Sequence, residues 1–100
     1  MSERAFMQQV IDLAHLTGWL VYHTFDSRRS GAGFPDLLQV RGTQLLAAEL
    51  KSEKGRLSPA QQQWLDALRA AGCETYLWKP SDLDSIIARL TSCPHEHVHN

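Results

Sequence analysis

The chain has almost no net charge: ten lysines and arginines against eleven aspartates and glutamates leave −1 at neutral pH. A global attraction to polyanions is thereby excluded, and any basic surface must be local. Its two cysteines, Cys73 and Cys93, are too few and too far apart for a disulfide framework. A reduced, cytosolic setting is therefore expected. No apolar run approaches the length of a membrane span, and no charged-then-apolar leader is read at the start, so no membrane partner is expected. Internal repeats and a second-domain boundary are also missing. What remains, 100 residues of which 43% are hydrophobic, suits one domain with a modest core. It is read as residues 1–90, with 91–100 as a flexible tail.

Most of the chemistry lies between residues 33 and 51. The segments 37–41 and 44–50 read as strands separated by Gly42-Thr43, and a two-residue loop with glycine first predicts a II′ hairpin. That register sets Arg41 opposite Gln44 and, counting back, Asp36 opposite Glu49. Lys51 shares a face with Glu49, because strand side chains alternate. Opposed like charges destabilise a sheet, and charges beside an apolar strand pair need compensation. A hard divalent cation such as Mg²⁺ supplies it, held by one or two carboxylates. A neighbouring lysine can then orient water or offset developing negative charge. The plainer reading is a turn-capping Asp36 and a solvated Glu49–Lys51 pair. The agreement of register, Pro35-Asp36 start and Glu-x-Lys end favours the metal site.

Taken in order, Ser2 is a candidate N-cap for a helix whose face carries Phe6, Val10, Leu13 and Ala14, widened by Met7 and Ile11. Glu3 sits in its first turn, where the helix dipole favours a carboxylate. Residues 19–25 read as the first strand, with His23 a half-buried strand histidine on the residues alone. Residues 26–33 form a loop by composition. Its Arg28 and Arg29 have two even readings, phosphate contacts or a solvated charge pair. After the hairpin, a polar connection carries Lys54 and Arg56 beside the site. Ser58-Pro59 then opens a helix whose buried face is read as Ala60, Trp64, Ala67, Leu68 and Ala71 up to Gly72. Ser58-x-x-Gln61 fits a capping box. Residues 73–78 are the fourth strand. Lys79-Pro80-Ser81 breaks it and caps a final helix with Leu83, Ile86, Ile87 and Leu90 as its stripe. Cys93, His95, His97 and His99 lack the spaced pairs of a structural zinc site and read as a frayed terminus.

Pro35-Asp36, thirteen positions on to Glu49, then Leu50-Lys51 resembles the signature of the PD-(D/E)XK nuclease superfamily. Ser2-Glu3, Gly18-Trp19, Tyr22-His23, Ser27-Arg28-Arg29, Gly33-Phe34-Pro35-Asp36-Leu37, Glu49-Leu50-Lys51-Ser52, Gly55-Arg56-Leu57-Ser58, Gln61 and Trp64-Leu65 together resemble the small stand-alone VRR-NUC family. The resemblance runs to about Leu90. It implies an α/β fold: a restriction-endonuclease-like αβββαβ core with a central mixed four-stranded sheet and a C-terminal helix. The helix after the hairpin is independently consistent with a crossover to a parallel fourth strand.

With the resemblance, Asp36, Glu49 and the backbone carbonyl of Leu50 are expected to hold Mg²⁺ or Mn²⁺, and Lys51 to position water. Glu3 is expected as a further ligand or water-orienting group, and Gln61 in the lining of the site. Arg28, Arg29, Lys54, Arg56 and His23 form the expected DNA-facing set. The implied activity is metal-dependent hydrolysis of DNA phosphodiesters, on branched or four-way-junction DNA in the manner of a Holliday-junction resolvase, by a homodimer. Paired cuts need paired sites, and two-fold dimers are the commonest oligomers. The alternatives are a non-catalytic DNA-binding module, disfavoured because Asp36, Glu49 and Lys51 are all present, and a nuclease subunit dependent on a partner protein.

Overall fold

The computed structural model of the chain describes residues 1–24 and 32–92. Helix α1, Glu3–Leu16, starts where Ser2 accepts a hydrogen bond from the Ala5 N–H at 3.0 Å. Strands β1 (Leu20–His23), β2 (Leu37–Arg41) and β3 (Gln44–Leu50) follow, then helix α2 (Pro59–Ala70), strand β4 (Glu74–Trp78), a 3-10 turn over Pro80–Asp82 and helix α3 (Leu83–Thr91). The sheet order is β1-β2-β3-β4. The first two pairings are antiparallel, and α2 carries the chain across to a parallel β3–β4 pair. The expected αβββαβ core with its mixed sheet and C-terminal helix is thus the fold observed.

The hairpin register holds as well. Arg41 pairs with Gln44 and Leu37 with Ala48. Positive φ falls on Gly42 (62°) and on no non-glycine residue described, as a II′ turn requires and a I′ turn does not. The alternation then divides the sheet. Leu37, Leu46, Ala48, Leu50 and Trp78 face α1 and α3, where Phe6, Val10, Ala14, Ile86 and Leu90 meet them in one buried cluster. Each fully buried side chain of this kind contributes about 1.5–3 kcal/mol.

Four expectations are corrected. The first strand is shorter than 19–25, because Trp19 turns its ring into the core and donates its indole N–H to the Leu90 carbonyl at 3.0 Å; Phe25 lies outside the described residues. On α2 the fully buried residue is Leu65, while Ala67 and Ala71 are exposed and Trp64 is 36% exposed. The apolar stripe read from the sequence is one turn-face off the buried one, since alanine and an edge-lying tryptophan satisfy the same spacing. On α3, Ile86 and Leu90 are buried but Ile87 is 40% exposed. The turn before α3 is held by the Asp82 carboxylate, which accepts the Lys79 N–H at 2.9 Å, rather than by Ser81. The tail residues 93–100 lie outside the described residues.

A clasp of arginines closes the turn end of the sheet. Arg41 donates to the carbonyls of Thr17 (3.0 Å), Leu90 (2.7 Å) and Ser92. Its guanidinium lies 4.5 Å from the centre of the Trp19 ring. Arg89 is paired with Glu74, holding that carboxyl below its usual range. Carbonyls that end helices α1 and α3 thereby gain charged donors.

Gln39 interrupts the core face of β2. It is fully buried, its ladder neighbours Val21 and Leu46 are apolar, and neither its amide nitrogen nor its oxygen finds a hydrogen-bond partner among the described residues. An unpaired buried amide costs about 1–3 kcal/mol. Gln39→Met, which keeps the volume and removes the polar atoms, is expected to raise stability by about 1–2 kcal/mol in urea unfolding. A loss of stability would instead show that the amide is satisfied in solution.

Candidate active site

The β2–β3 ladder ends at Leu37 and Ala48, and Asp36 and Glu49 stand one step beyond it. Asp36 is fixed twice, and Pro35 before it once. The Asp36 Oδ2 accepts the Leu50 N–H at 2.9 Å, and its backbone carbonyl accepts the Thr24 N–H at 2.9 Å. The Thr24 hydroxyl also donates to the Pro35 carbonyl at 3.1 Å. The end of β1 is therefore sewn to the start of β2.

Glu49 is only 3% exposed. Its Oε2 accepts from the Gln61 side-chain amide at 3.0 Å and lies 3.8 Å from the Lys51 Nζ. Its Oε1 is buried without a hydrogen-bond partner among the described residues. Burial first, then the charge of Asp36, raise the Glu49 pKa from 4.5 to about 8, against the opposing pull of Lys51. The site thus holds a proton on Glu49 that its own lysine does not displace.

The loop that carries Asp36 is clamped to the start of α2. Phe34 meets Trp64 edge-on with ring centres 5.0 Å apart, and the Trp64 indole N–H donates to the Ala32 carbonyl at 3.1 Å. Between them, Gly33 adopts φ 84° and sits so close to α2 that an added Cβ would lie 2.5 Å from the Ala60 carbonyl carbon. Both the conformation and the space require glycine here. Gly33→Ala is expected to cost about 2 kcal/mol or more in thermal unfolding. It would also displace Asp36; a variant as stable as wild type would show that the clamp is not tight.

These groups surround a cavity of about 530 Å³ lined by Glu3, His23, Asp36, Glu49, Lys51 and Gln61, among others. Of the residues singled out from sequence, those six come together. Glu3 reaches it from the first turn of α1, where its Oε2 accepts the Ser52 N–H at 3.3 Å. Gln61 fulfils both of its readings at once: its Oε1 closes the capping box with the Ser58 N–H at 2.8 Å while its amide nitrogen reaches Glu49. Lys54 and Arg56 are exposed on the connection beyond Lys51 and outside the cavity lining. Arg28 and Arg29 lie outside the described residues. Sequence reasoning missed Thr24 and the Phe34–Trp64 contact. A hydroxyl residue near the end of the first strand as read, and an aromatic two before the aspartate, were the signals available.

The donor set fits a hard cation. Two carboxylates converge, one with a buried unpartnered oxygen, and oxygen ligands are what Mg²⁺ and Mn²⁺ take. Among the described residues no group of three or more His, Cys, Asp or Glu gathers around one point. That is the pattern of a site completed by water and substrate rather than of an all-protein cage.

The VRR-NUC domain family model matches residues 2–81. A solved structure named a VRR_NUC domain superposes with a TM-score of 0.72 at 20% identity, covering 97% of each chain. A VRR_NUC domain protein gives 0.69 at 22% identity, over 90% of this chain and 85% of that one. The Holliday junction resolvase Hjc of Archaeoglobus fulgidus gives 0.58 at 24% identity, over 76% of this chain and 67% of that one. No curated protein matches.

Proposed function

This chain belongs to the VRR-NUC family of nuclease domains, and from that premise we propose that it is a divalent-metal-dependent DNA endonuclease of the PD-(D/E)XK type, acting on branched DNA as a homodimer. The observation that carries the reading is the Asp36–Glu49 pair at the open end of the hairpin, with Glu49 held near pKa 8 and Lys51 3.8 Å away.

Asp36 and Glu49 would hold the ion. The Leu50 carbonyl joins them, because a residue in an antiparallel ladder directs its N–H and C=O to the same side and the Leu50 N–H points to Asp36. Glu3 lies at the margin as a further oxygen donor. A bound Mg²⁺ or Mn²⁺ supplies Lewis-acid polarisation of the scissile phosphate and a lower pKa for water. Lys51, on the Glu49 face, orients the attacking water and offsets the charge that builds on the phosphoryl oxygens. Gln61 fixes the Glu49 carboxylate by donating its side-chain amide to Oε2. His23 borders the cavity on the β1 side, where the substrate backbone would pass, and Arg28, Arg29, Lys54 and Arg56 supply local positive charge in a chain with none to spare. The four-way-junction preference is supported by the likeness in fold to the Hjc resolvase and by a short chain with one site, which must pair to make two cuts.

The test is cleavage of labelled four-way junction, flap, linear duplex and single-stranded DNA with Mg²⁺ or Mn²⁺, wild type beside Lys51→Ala. Paired symmetric incisions in the junction, absent in the variant and in chelator, are expected. Cutting of flap or duplex alone would retain the chemistry and remove the junction preference. No cleavage of any substrate would transfer the case to a partner-dependent subunit or a binding module.

A further inference from the structure

Lys51 is the first residue beyond β3, past the ladder that fixes its neighbours. Its Nζ lies 3.8 Å from the Glu49 carboxylate, beyond hydrogen-bond distance, yet the side chain is only 18% exposed. A flexible four-carbon stem is not held in one arrangement by an ion pair that loose. Something else confines it. The chain turns back directly after the lysine, and the Gly55 N–H donates to the Ser52 carbonyl at 2.9 Å, closing a turn over residues 52–55. That return brings the Gly55 backbone against the stem. A Cβ added at Gly55 would lie 3.0 Å from the Lys51 Cβ, 3.3 Å from its Cδ and 3.3 Å from the Ser52 carbonyl oxygen. Gly55 is not among the glycines with positive φ, so its backbone conformation admits other residues. The nearness of the lysine is what calls for glycine.

We propose that Gly55 is a positioning residue for Lys51: the turn packs on the lysine stem and confines the ammonium to the Glu49 side of the cavity. The turn is itself tied down at three points. The Lys51 N–H donates to the Trp78 carbonyl at 3.0 Å, and the Ser52 N–H to the Glu3 Oε2 at 3.3 Å. The Glu53 carboxylate accepts the Ser81 N–H. The segment thereby hangs between β4, α1 and the 3-10 turn. A methyl group added at Gly55 meets this held backbone on one side and a rotatable stem on the other, and the stem gives way. A shift of about 1 Å at a reacting group can cost about 100-fold in rate. The consequence for catalysis rests on the nuclease reading, in which Lys51 orients the attacking water. The confinement of the stem does not.

The test is the order of the Lys51 side chain, read by ¹³C relaxation at its Cε and identified by loss of the signal in Lys51→Ala. In the wild type this carbon is expected to be more rigid than that of Lys54, which is exposed on the same turn. Gly55→Ala should bring it to the Lys54 level, with unchanged far-UV circular dichroism and the same number of Mn²⁺ bound per chain. Glu53→Ala, which unties the turn without adding bulk, should loosen the same carbon part of the way, and decides the matter if Gly55→Ala does not fold. On DNA, Gly55→Ala should lower kcat by about 10–100-fold and leave KM within about twofold. A wild-type Lys51 as mobile as Lys54, or one that stays ordered in both variants, would overturn the proposal. So would a raised KM with kcat unchanged. The expected order and its loss, without cleavage of any DNA by the wild type, would keep the turn's hold on Lys51 and overturn the nuclease reading alone.

Discussion

Asp36→Asn is expected to abolish Mn²⁺ binding and to slow DNA cleavage by on the order of 10³-fold or more, while leaving the protein as stable as wild type or more so. The activity loss follows from removing a carboxylate from a two-carboxylate donor set, and with it several kcal/mol of transition-state stabilisation. The stability gain follows from the same change. Asp36 opposes Glu49 across the hairpin and is one of the causes of its raised pKa, and a carboxyl that must take up a proton on folding costs stability at neutral pH. The amide oxygen of asparagine can still accept the Leu50 N–H, so the strand end stays closed. Calorimetric titration with Mn²⁺ and a thermal melt read the two effects separately. A variant that lost stability along with activity would indicate that Asp36 serves the fold; one that still bound Mn²⁺ would refute the metal site.

The second large effect is in pH. Glu49 has a folded-state pKa of about 8 against 4.5 as the ordinary value. Folding therefore favours the protonated carboxyl, and the unfolded chain releases that proton first as pH rises. The stability associated with the protonated group is fully present below pH 4.5 and is lost as pH climbs toward 8, so the metal-free protein weakens over that window. A cation needs the opposite form. Well below pH 8 a proton must leave for the ion to bind, and apparent Mn²⁺ affinity should rise about tenfold per pH unit there, or about 50-fold between pH 6 and 8. Titrations in buffers of different ionisation enthalpy should show about one proton released per ion at pH 7. In Glu49→Gln both the release and the stability slope should vanish. A pH-independent affinity in the wild type would mean that Glu49 is ionised before the ion arrives.

Much of this site can be read from the chain because its key relation is local. Gly42-Thr43 fixes a two-residue loop, the loop fixes the register, and the register fixes Asp36 against Glu49. The family series of residues likewise anticipates the mixed sheet and the places of Glu3 and Gln61. What could not be read depends on contacts distant in sequence. The burial of Glu49, which sets its pKa, comes from α2 and a neighbouring strand. The face of α2 was misassigned because Ala60, Trp64, Ala67 and Ala71 keep the helical spacing of a core while only Leu65 is fully buried. Which face of β1 and β2 is exposed among the described residues is equally invisible, for in Leu37-Leu38-Gln39-Val40 leucine stands on both sides of the strand and the one polar residue, Gln39, lies on the buried side.

The single hydrogen bond from the Leu50 N–H to the Asp36 side chain has a consequence for motion. A hairpin zips from its turn, and the Asp36 and Glu49 side chains sit at the open end, where fraying begins. There the last rung is closed not by backbone but by the Asp36 carboxylate, the proposed ligand of the ion. Whenever that rung opens, the Leu50 amide is released to exchange with solvent and the donor set is lost in the same event. Hydrogen exchange at this one amide therefore reports how often the unloaded site is preassembled, and a bound ion, by pinning Asp36, would silence it.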